Sequence, residues 1–286
     1  MEISVCITHY NRVELLERAI NSVLLQSNFI GEIIVVDDCS PKEIQSEIFI
    51  KFGQVELVKL IFLEKNQGPQ VARNTAIDSA RYEITALMDC DDVWLENKIL
   101  KQLEYINSEN LDLCSCGFVI DGKPDLQAER FFPSYEDDAV KYLCSGGHMQ
   151  TSTLVMRSEV AKLVRFDVSV RKFQDWDFIF RVANKQYRIG YLNERLVDYS
   201  NLATDQMTKS YDPDYAKSFI LDRLEYVGRD NATLFFINRL SAMYFKKGVY
   251  ARAVLSLVEP IYRFRCFKPI AVFSSIKRFL YYKIGL

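Results

Sequence analysis

Histidine is scarce in this chain, with two in 286 residues, and its seven cysteines form no C-x-x-C pair, so no zinc-ligand spacing is present. No apolar run reaches 18 residues, and the sequence therefore predicts no membrane-spanning helix. The first expected strand begins by Glu2, which leaves no space for a signal peptide. No G-x-G-x-x-G follows that strand, which argues against a dinucleotide-dependent oxidoreductase. Cysteine is odd in number, and Cys114 and Cys116 flank Ser115 so as to face one side of a strand. Reduced core thiols follow, and with them the cytosol. Internal repeats and low-complexity segments are missing as well.

What remains is ordinary globular material: 49% hydrophobic and 26% charged residues, enough for one large domain or a domain with an appendage. The net charge of −2 is unevenly spread. From Arg239 onward there are ten Lys/Arg and one acid, Glu259, a tail of +9 against −11 for the first 238 residues.

Strand and helix patterns alternate through the first 120 residues. Ile3–His9 is a β-branched strand, followed by the polar turn Thr8-His9-Tyr10-Asn11-Arg12 and an amphipathic helix over 13–25. Residues 32–36 are nearly pure Ile and Val, as in a parallel sheet buried on both faces. Strands are expected over 56–63, 83–88 and 111–120, with helices between them, one carrying Ala72-Arg73-Asn74 and another covering 96–107. Such alternation predicts an α/β fold with βαβ units and a parallel sheet. Beyond residue 120 the regularity fails. The sequence predicts a loop over 121–135, a strand over 151–157, a helix from about 174 to 185, two short strands at 187–192 and 195–199, and helices after 204.

The chain is organised around 83–94, where an apolar strand runs into Asp89, Asp91 and Asp92. Like charges this close repel, so they either lie in open water or hold a cation. Asp89 and Asp91 stand two apart, and a bent strand end can aim both at one Mg²⁺ or Mn²⁺, which suits hard oxygen ligands. An isolated D-x-D is more often a solvated turn. This one closes a predicted inner strand, where open α/β sheets bind ligands.

Five motifs together carry a resemblance: Val5-Cys-Ile-Thr8-His-Tyr10-Asn11-Arg12, Val35-Val36-Asp37-Asp38-Cys-Ser40, Asn66-Gln-Gly68 with Ala72-Arg73-Asn74, Met88-Asp89-Cys-Asp91-Asp92-Val-Trp94, and Gln174-Asp175-Trp176-Asp177. In order and spacing, over about residues 2–200, they resemble the family-2 glycosyltransferases of GT-A fold. That resemblance implies a Rossmann-like, mostly parallel sheet flanked by helices. A GT-A domain would span 1–205 (nucleotide half about 1–120, acceptor half about 121–205), with a helical, basic C-terminal extension over 206–286. It also implies inverting transfer of a sugar from a nucleoside-diphosphate sugar, a UDP-hexose first among them, by single displacement assisted by Mn²⁺ or Mg²⁺. By the same resemblance Thr8, Tyr10 and Asn11 hold the nucleotide, Asp38 or its neighbour Asp37 accepts from the base N–H, and Arg73 lies near the diphosphate or sugar. Asp91 meets the metal with Asp89 beside it toward the ribose or sugar, and Asp175 is the catalytic base.

Elementary chemistry agrees, because the leaving diphosphate needs its growing charge neutralised and an attacking hydroxyl needs a base. Asp177 is the substitute for Asp175, whose alternative use is an N-cap. Two departures from the family stand out: Gln174 occupies a position usually Glu, and no histidine follows His148 to serve as a further metal ligand. The acceptor implied is a glycan or lipid-linked glycan of a surface polysaccharide, such as O-antigen (lipopolysaccharide) or capsule. A non-catalytic nucleotide-sugar binder on the same fold is the alternative. The tail mixes aromatics with its basic residues, and 263–283 is expected to rest peripherally on an anionic leaflet at the cytoplasmic face of the plasma membrane, Phe264, Phe267, Ile270, Val272, Phe273, Ile276, Phe279 and Leu280 inserting. Packing as a helical cap is the competing use, and no motif supports nucleic acid.

Overall fold

A computed structural model of the chain describes residues 2–122, 138–200 and 212–284. They fall into two compact units, one drawn from Met1–Ala128 and Met149–Gln206 and the other from Glu129–His148 and Met207–Leu286. The sequence-based boundary near 205 differs from this division by the segment before Met149, where the helix Ala139–Ser145 packs on helices of the second unit. The rest of the predicted loop over 121–135 past Gly122, and the acceptor-side segment 201–211, lie outside the described residues.

In chain order the elements begin β1 (Ile3–His9), α1 (Val13–Leu24), β2 (Ile30–Asp37), α2 (Lys42–Phe52), β3 (Val58–Phe62), α3 (Pro69–Ser79), β4 (Ile84–Asp89) and β5 (Val93–Trp94). They continue with α4 (Lys98–Ser108), β6 (Leu113–Ile120), α5 (Ala139–Ser145, second unit), β7 (Val155–Arg157), α6 (Ser158–Val164), α7 (Gln174–Asn184) and β8 (Ile189–Tyr199). Every residue of β1 is buried, Ser4 and Thr8 as well as the apolar residues with which they alternate, so this strand is covered on both faces. Leu16, Ile20 and Val23 of α1 close one side of the sheet, in a core shared with Ile7, Val35, Met88 and Trp94. Each such side chain contributes roughly 1.5–3 kcal/mol of burial.

The strand order is β3-β2-β1-β4-β7-β6-β8-β5. The first four are parallel, as the alternation predicts. The second half is not all parallel: β7 runs antiparallel to both β4 and β6, and β5 antiparallel to β8. Only three residues long, β7 has no alternation from which its direction could be read. In the sheet β5 stands four places from β4, about 19 Å if the sheet were flat. The chain from Asp89 to Val93 reaches at most about 14 Å. The sheet must therefore curl, and the turn Asp89–Asp92 spans the gap.

Two local expectations are corrected. Thr151–Thr153 is a 3₁₀ turn before β7, because its hydroxyls are bonded inward: Thr153 Oγ1 donates to Gln150 O at 2.6 Å, and Ser152 Oγ serves the acidic turn described below. The two short strands at 187–199 are one strand with a bulge. Cys116 pairs with Leu192 but Gly117 with Arg195, and a Cβ on Gly117 would lie 2.9 Å from Glu194 O.

The second unit continues with α8 (Pro213–Asp222), α9 (Leu224–Phe235), a π-helical turn (Phe236–Leu240), α10 (Ser241–Lys246), α11 (Tyr250–Phe264) and α12 (Pro269–Ile284). Phe236, Ile237 and Leu240 of the π turn are its buried centre, and Phe264 meets Phe236 edge-on at 5.5 Å. Phe264 is thus core here, which corrects its expected role as an inserting residue.

Candidate active site

The β1 turn is built around His9. Its Nδ1 lies 2.7 Å from Asp37 Oδ2, and its Nε2 accepts from the backbone N–H of Arg12 at 2.9 Å, which puts the ring proton on Nδ1. Asp37 further accepts from Ser40 N (2.8 Å), Ser40 Oγ (2.6 Å) and Gln45 Nε2 (3.3 Å). Burial alone would raise its carboxyl, but the bonds from His9 and Ser40 hold it below the usual range. Asp37 is consumed inside the fold. Asp38 accepts from Gln67 N and Gly68 N, both at 2.8 Å, and so shapes the turn into α3, where Gly68 sits at φ 90°. Each of its oxygens retains a lone pair. Asn11, at φ 57°, donates its N–H to Ser40 Oγ at 2.8 Å, and Tyr10 beside it is 49% exposed.

At the end of β4 the three aspartates separate into two uses. Asp92 faces inward, accepting from Ser152 Oγ at 2.5 Å and Ser200 N at 3.0 Å. Burial, then Asp91 and Asp89, raise its carboxyl well above the usual range. It is an anchor and not a third acid toward a cation. The same Ser152 Oγ accepts from Asp89 N at 3.0 Å, and Trp94 Nε1 donates to Ser152 O at 3.1 Å. Beneath them Lys98 Nζ, fully buried, lies 4.1 Å from the Trp94 ring centre, and desolvation lowers it to about 8. Ser152→Ala removes a donor from a buried carboxylate, and chemical denaturation should record a loss of about 1–3 kcal/mol. An unchanged midpoint would show that the turn holds without it.

Asp89 and Asp91 point the other way. Arg12 Nη1 donates to Asp91 Oδ2 at 2.9 Å, Arg73 Nη2 to Asp89 Oδ1 at 2.6 Å, and Thr8 Oγ1 is 3.5 Å from Asp89 Oδ1. Among the described residues no three His, Cys, Asp or Glu gather around a common point. Two oxygen ligands are what Mg²⁺ or Mn²⁺ takes when substrate phosphates and water complete its shell, so the donor set fits such an ion.

Gln70, Arg73 and Asn74 occupy one face of α3 and grip the segment that leads to Asp175. Gln70 Nε2 donates to Val170 O. Asn74 bonds Phe166 twice, Nδ2 to its O at 2.9 Å and Oδ1 from its N at 2.8 Å. Arg73 Nη1 donates to Gln174 Oε1 at 2.6 Å, and its guanidinium lies 5.2 Å from the Phe166 ring centre. Arg73 is 7% exposed and joins the D-x-D turn to the start of α7. There Phe173 takes φ 60°, and Asp175 accepts from Trp176 N at 2.9 Å. Burial, assisted by Asp89 and opposed by the Trp176 N–H and Arg73, pushes Asp175 up to about 6. Asp177 is buried and bound to Arg181 Nε at 2.8 Å, and that arginine also serves Val164 O and Arg165 O.

The structure thus brings Thr8, Arg73, Asp89 and Asp91 together with Asp175 nearby through Gln174, and sets Asn11 and Asp38 on the adjoining turns. Sequence reasoning missed Ser152 and the gripping roles of Gln70 and Asn74. Only Asn74, within the Ala-Arg-Asn motif, left a signal. In His148 a distinct use is visible: its Nε2 lies 3.4 Å from Arg239 Nη1, within the second unit.

Among known proteins, TuaG of Bacillus subtilis, a glycosyltransferase named for teichuronic acid biosynthesis, is 28% identical over 202 residues, 69% of this chain and 78% of that one. Staphylococcus aureus TarS 1–349, solved in complex with UDP-GlcNAc, superposes with a TM-score of 0.68 at 18% identity, over 91% of this chain and 80% of that one. The mannosyltransferase PcManGT of Pyrobaculum calidifontis, solved with GDP-Man and Mn²⁺, gives 0.62 at 15% identity over 98% and 81%. Both structural likenesses concern the fold. The sequence model described as Glycosyl transferase family 2 matches residues 4–164, more than half of the chain, and the chain therefore belongs to that family and is a glycosyltransferase.

Proposed function

We propose that the enzyme moves a sugar from a nucleoside-diphosphate sugar, a UDP-hexose first among candidates, to a glycan or lipid-linked acceptor of a surface polysaccharide, by single displacement with inversion. The observation that carries this reading is Arg73, which ties Asp89 of the D-x-D to Gln174 beside Asp175. A group that receives the donor's diphosphate and a group that deprotonates an acceptor are thereby held in one frame. TuaG's name supports a polysaccharide product, and the sugar nucleotides bound by TarS and PcManGT support the donor class.

Asp91, with Asp89, would hold Mg²⁺ or Mn²⁺, which supplies charge neutralisation on the leaving diphosphate when bound. Thr8, Tyr10 and Asn11 would border the nucleoside, with Asp38's remaining lone pairs turned to a base N–H. Asp175 takes the proton of the acceptor hydroxyl as its oxygen bonds to the anomeric carbon. The bond from that carbon to the phosphate oxygen breaks, its electron pair leaving with the diphosphate. At about 6, Asp175 is ionised at neutral pH yet more basic than an exposed aspartate, as a general base requires. Arg73 orients Asp89 and Gln174 and would lie near the diphosphate or sugar.

The test is incubation of purified protein with a panel of UDP-, GDP- and dTDP-sugars, Mn²⁺ and short glycan acceptors, with release of nucleoside diphosphate measured. Turnover of one donor with an inverted product linkage is expected. Silence across the panel, with nucleotide still bound, would favour a binder over an enzyme.

A further inference from the structure

Helix α11 is apolar on two opposite faces. One face, with Ala253, Leu257, Pro260 and Phe264, is buried in the second unit. The other, with Val254, Leu255, Val258, Ile261 and Tyr262 at helical spacing, stands in solvent, Tyr262 at 83% exposure. A surface helix of a soluble unit ordinarily keeps polar residues there. In α12, Ile270 (85%), Phe273 (73%) and Ile276 form a second exposed apolar row, preceded by Phe267. Arg265, exposed, caps the C-terminal end of α11. The side chains of 278–284 lie outside those described. No described helix is long and apolar enough to cross a membrane, so these rows are not the flank of a span.

We infer that the outer stripe of α11, with the exposed row of α12, is a docking face for an anionic lipid bilayer, α11 being the principal inserting element. This deepens the reading above by naming the surface on which a lipid-linked acceptor would be met. The occupant is chosen by charge. From Arg239 onward the chain carries ten bases and one acid, so apolar insertion and basic attraction act on the same segment. A second copy docking through the same face would set one net basic segment against another, even with Arg252 paired to Asp214 and Lys268 to Asp230, since a two-fold contact uses the same patch on both partners. An anionic leaflet satisfies both the apolar and the basic residues.

The test uses the full chain and vesicles of equal phosphatidylglycerol and phosphatidylcholine, or of phosphatidylcholine alone. Sedimentation with the anionic vesicles, weak sedimentation with the neutral ones and release at raised salt are expected. Leu255→Glu with Val258→Glu should weaken vesicle binding by at least about tenfold, because each loses apolar insertion and adds repulsion. Both positions are exposed, so melting temperature and turnover of a soluble acceptor should stay unchanged. Phe273→Glu, on the other helix, should give a smaller loss. Equal binding by wild type and the double variant would overturn the inference. So would binding to neither vesicle, or a dimer by light scattering that the same substitutions disperse. Failure of the donor panel leaves this measurement unaffected, so the two readings fail separately.

Discussion

Asp175→Asn is expected to lower kcat by roughly 10²–10⁴-fold while nucleotide binding stays within about twofold, because the amide keeps the shape but cannot accept a proton. The wild-type pH profile carries a second expectation. Burial pushes Asp175 up to about 6, and the acid form is inactive as a base. Activity should therefore hold above pH 6 and fall about tenfold per unit below it, the limb expected of one titrating base. An exposed aspartate would place that limb about two units lower. Asp177→Asn should behave differently. It breaks the buried pair with Arg181, which also holds Val164 O and Arg165 O, so it should cost stability before turnover. Normal turnover by Asp175→Asn together with a folded but inactive Asp177→Asn would reverse the assignment.

Removing the acid that faces the donor should be as damaging. Asp91→Ala is expected to lose nearly all transfer, and excess EDTA should silence the wild type, with Mn²⁺ or Mg²⁺ restoring it. The substitution also releases Arg12 from a 2.9 Å contact, so loss of activity alone would not isolate the metal. Asp91→Asn keeps a hydrogen-bond acceptor for Arg12 while removing the charge. Titration of Mn²⁺ in the presence of nucleoside diphosphate should show weakened binding for both variants. Full wild-type activity in EDTA would end the metal assignment, whatever the variants do.

Much of this site was written into short stretches of chain. Asp89 and Asp91 stand at the end of a strand whose apolar run already marked it as internal, Thr8 lies near the end of β1, and Asn11 and Asp38 follow β1 and β2. The two-residue spacing already set Asp89 and Asp91 apart from Asp92, but nothing local says what Asp92 turns inward to meet. Its partner Ser152 is 60 residues away. The choice between Asp37 and Asp38 was equally closed to sequence. His9, 28 residues earlier, engages the first and leaves the second to the Gln67–Gly68 turn.

Legible along the chain were the parallel strands β1 to β4, the helices between them, the apolar core they share and the five motifs that mark the family. All of these rest on periodicity and short-range spacing, which act within about one element's length. Long-range packing set the direction of β7, the curl that places the Asp89–Asp92 turn across the sheet, and the grip of Asn74 on Phe166, 92 residues on. It also decided which face of α11 remains uncovered. These depend on which distant surfaces meet, where a few hydrogen bonds and the reach of a four-residue turn outweigh local preference. A pattern read along the chain does not contain that pairing.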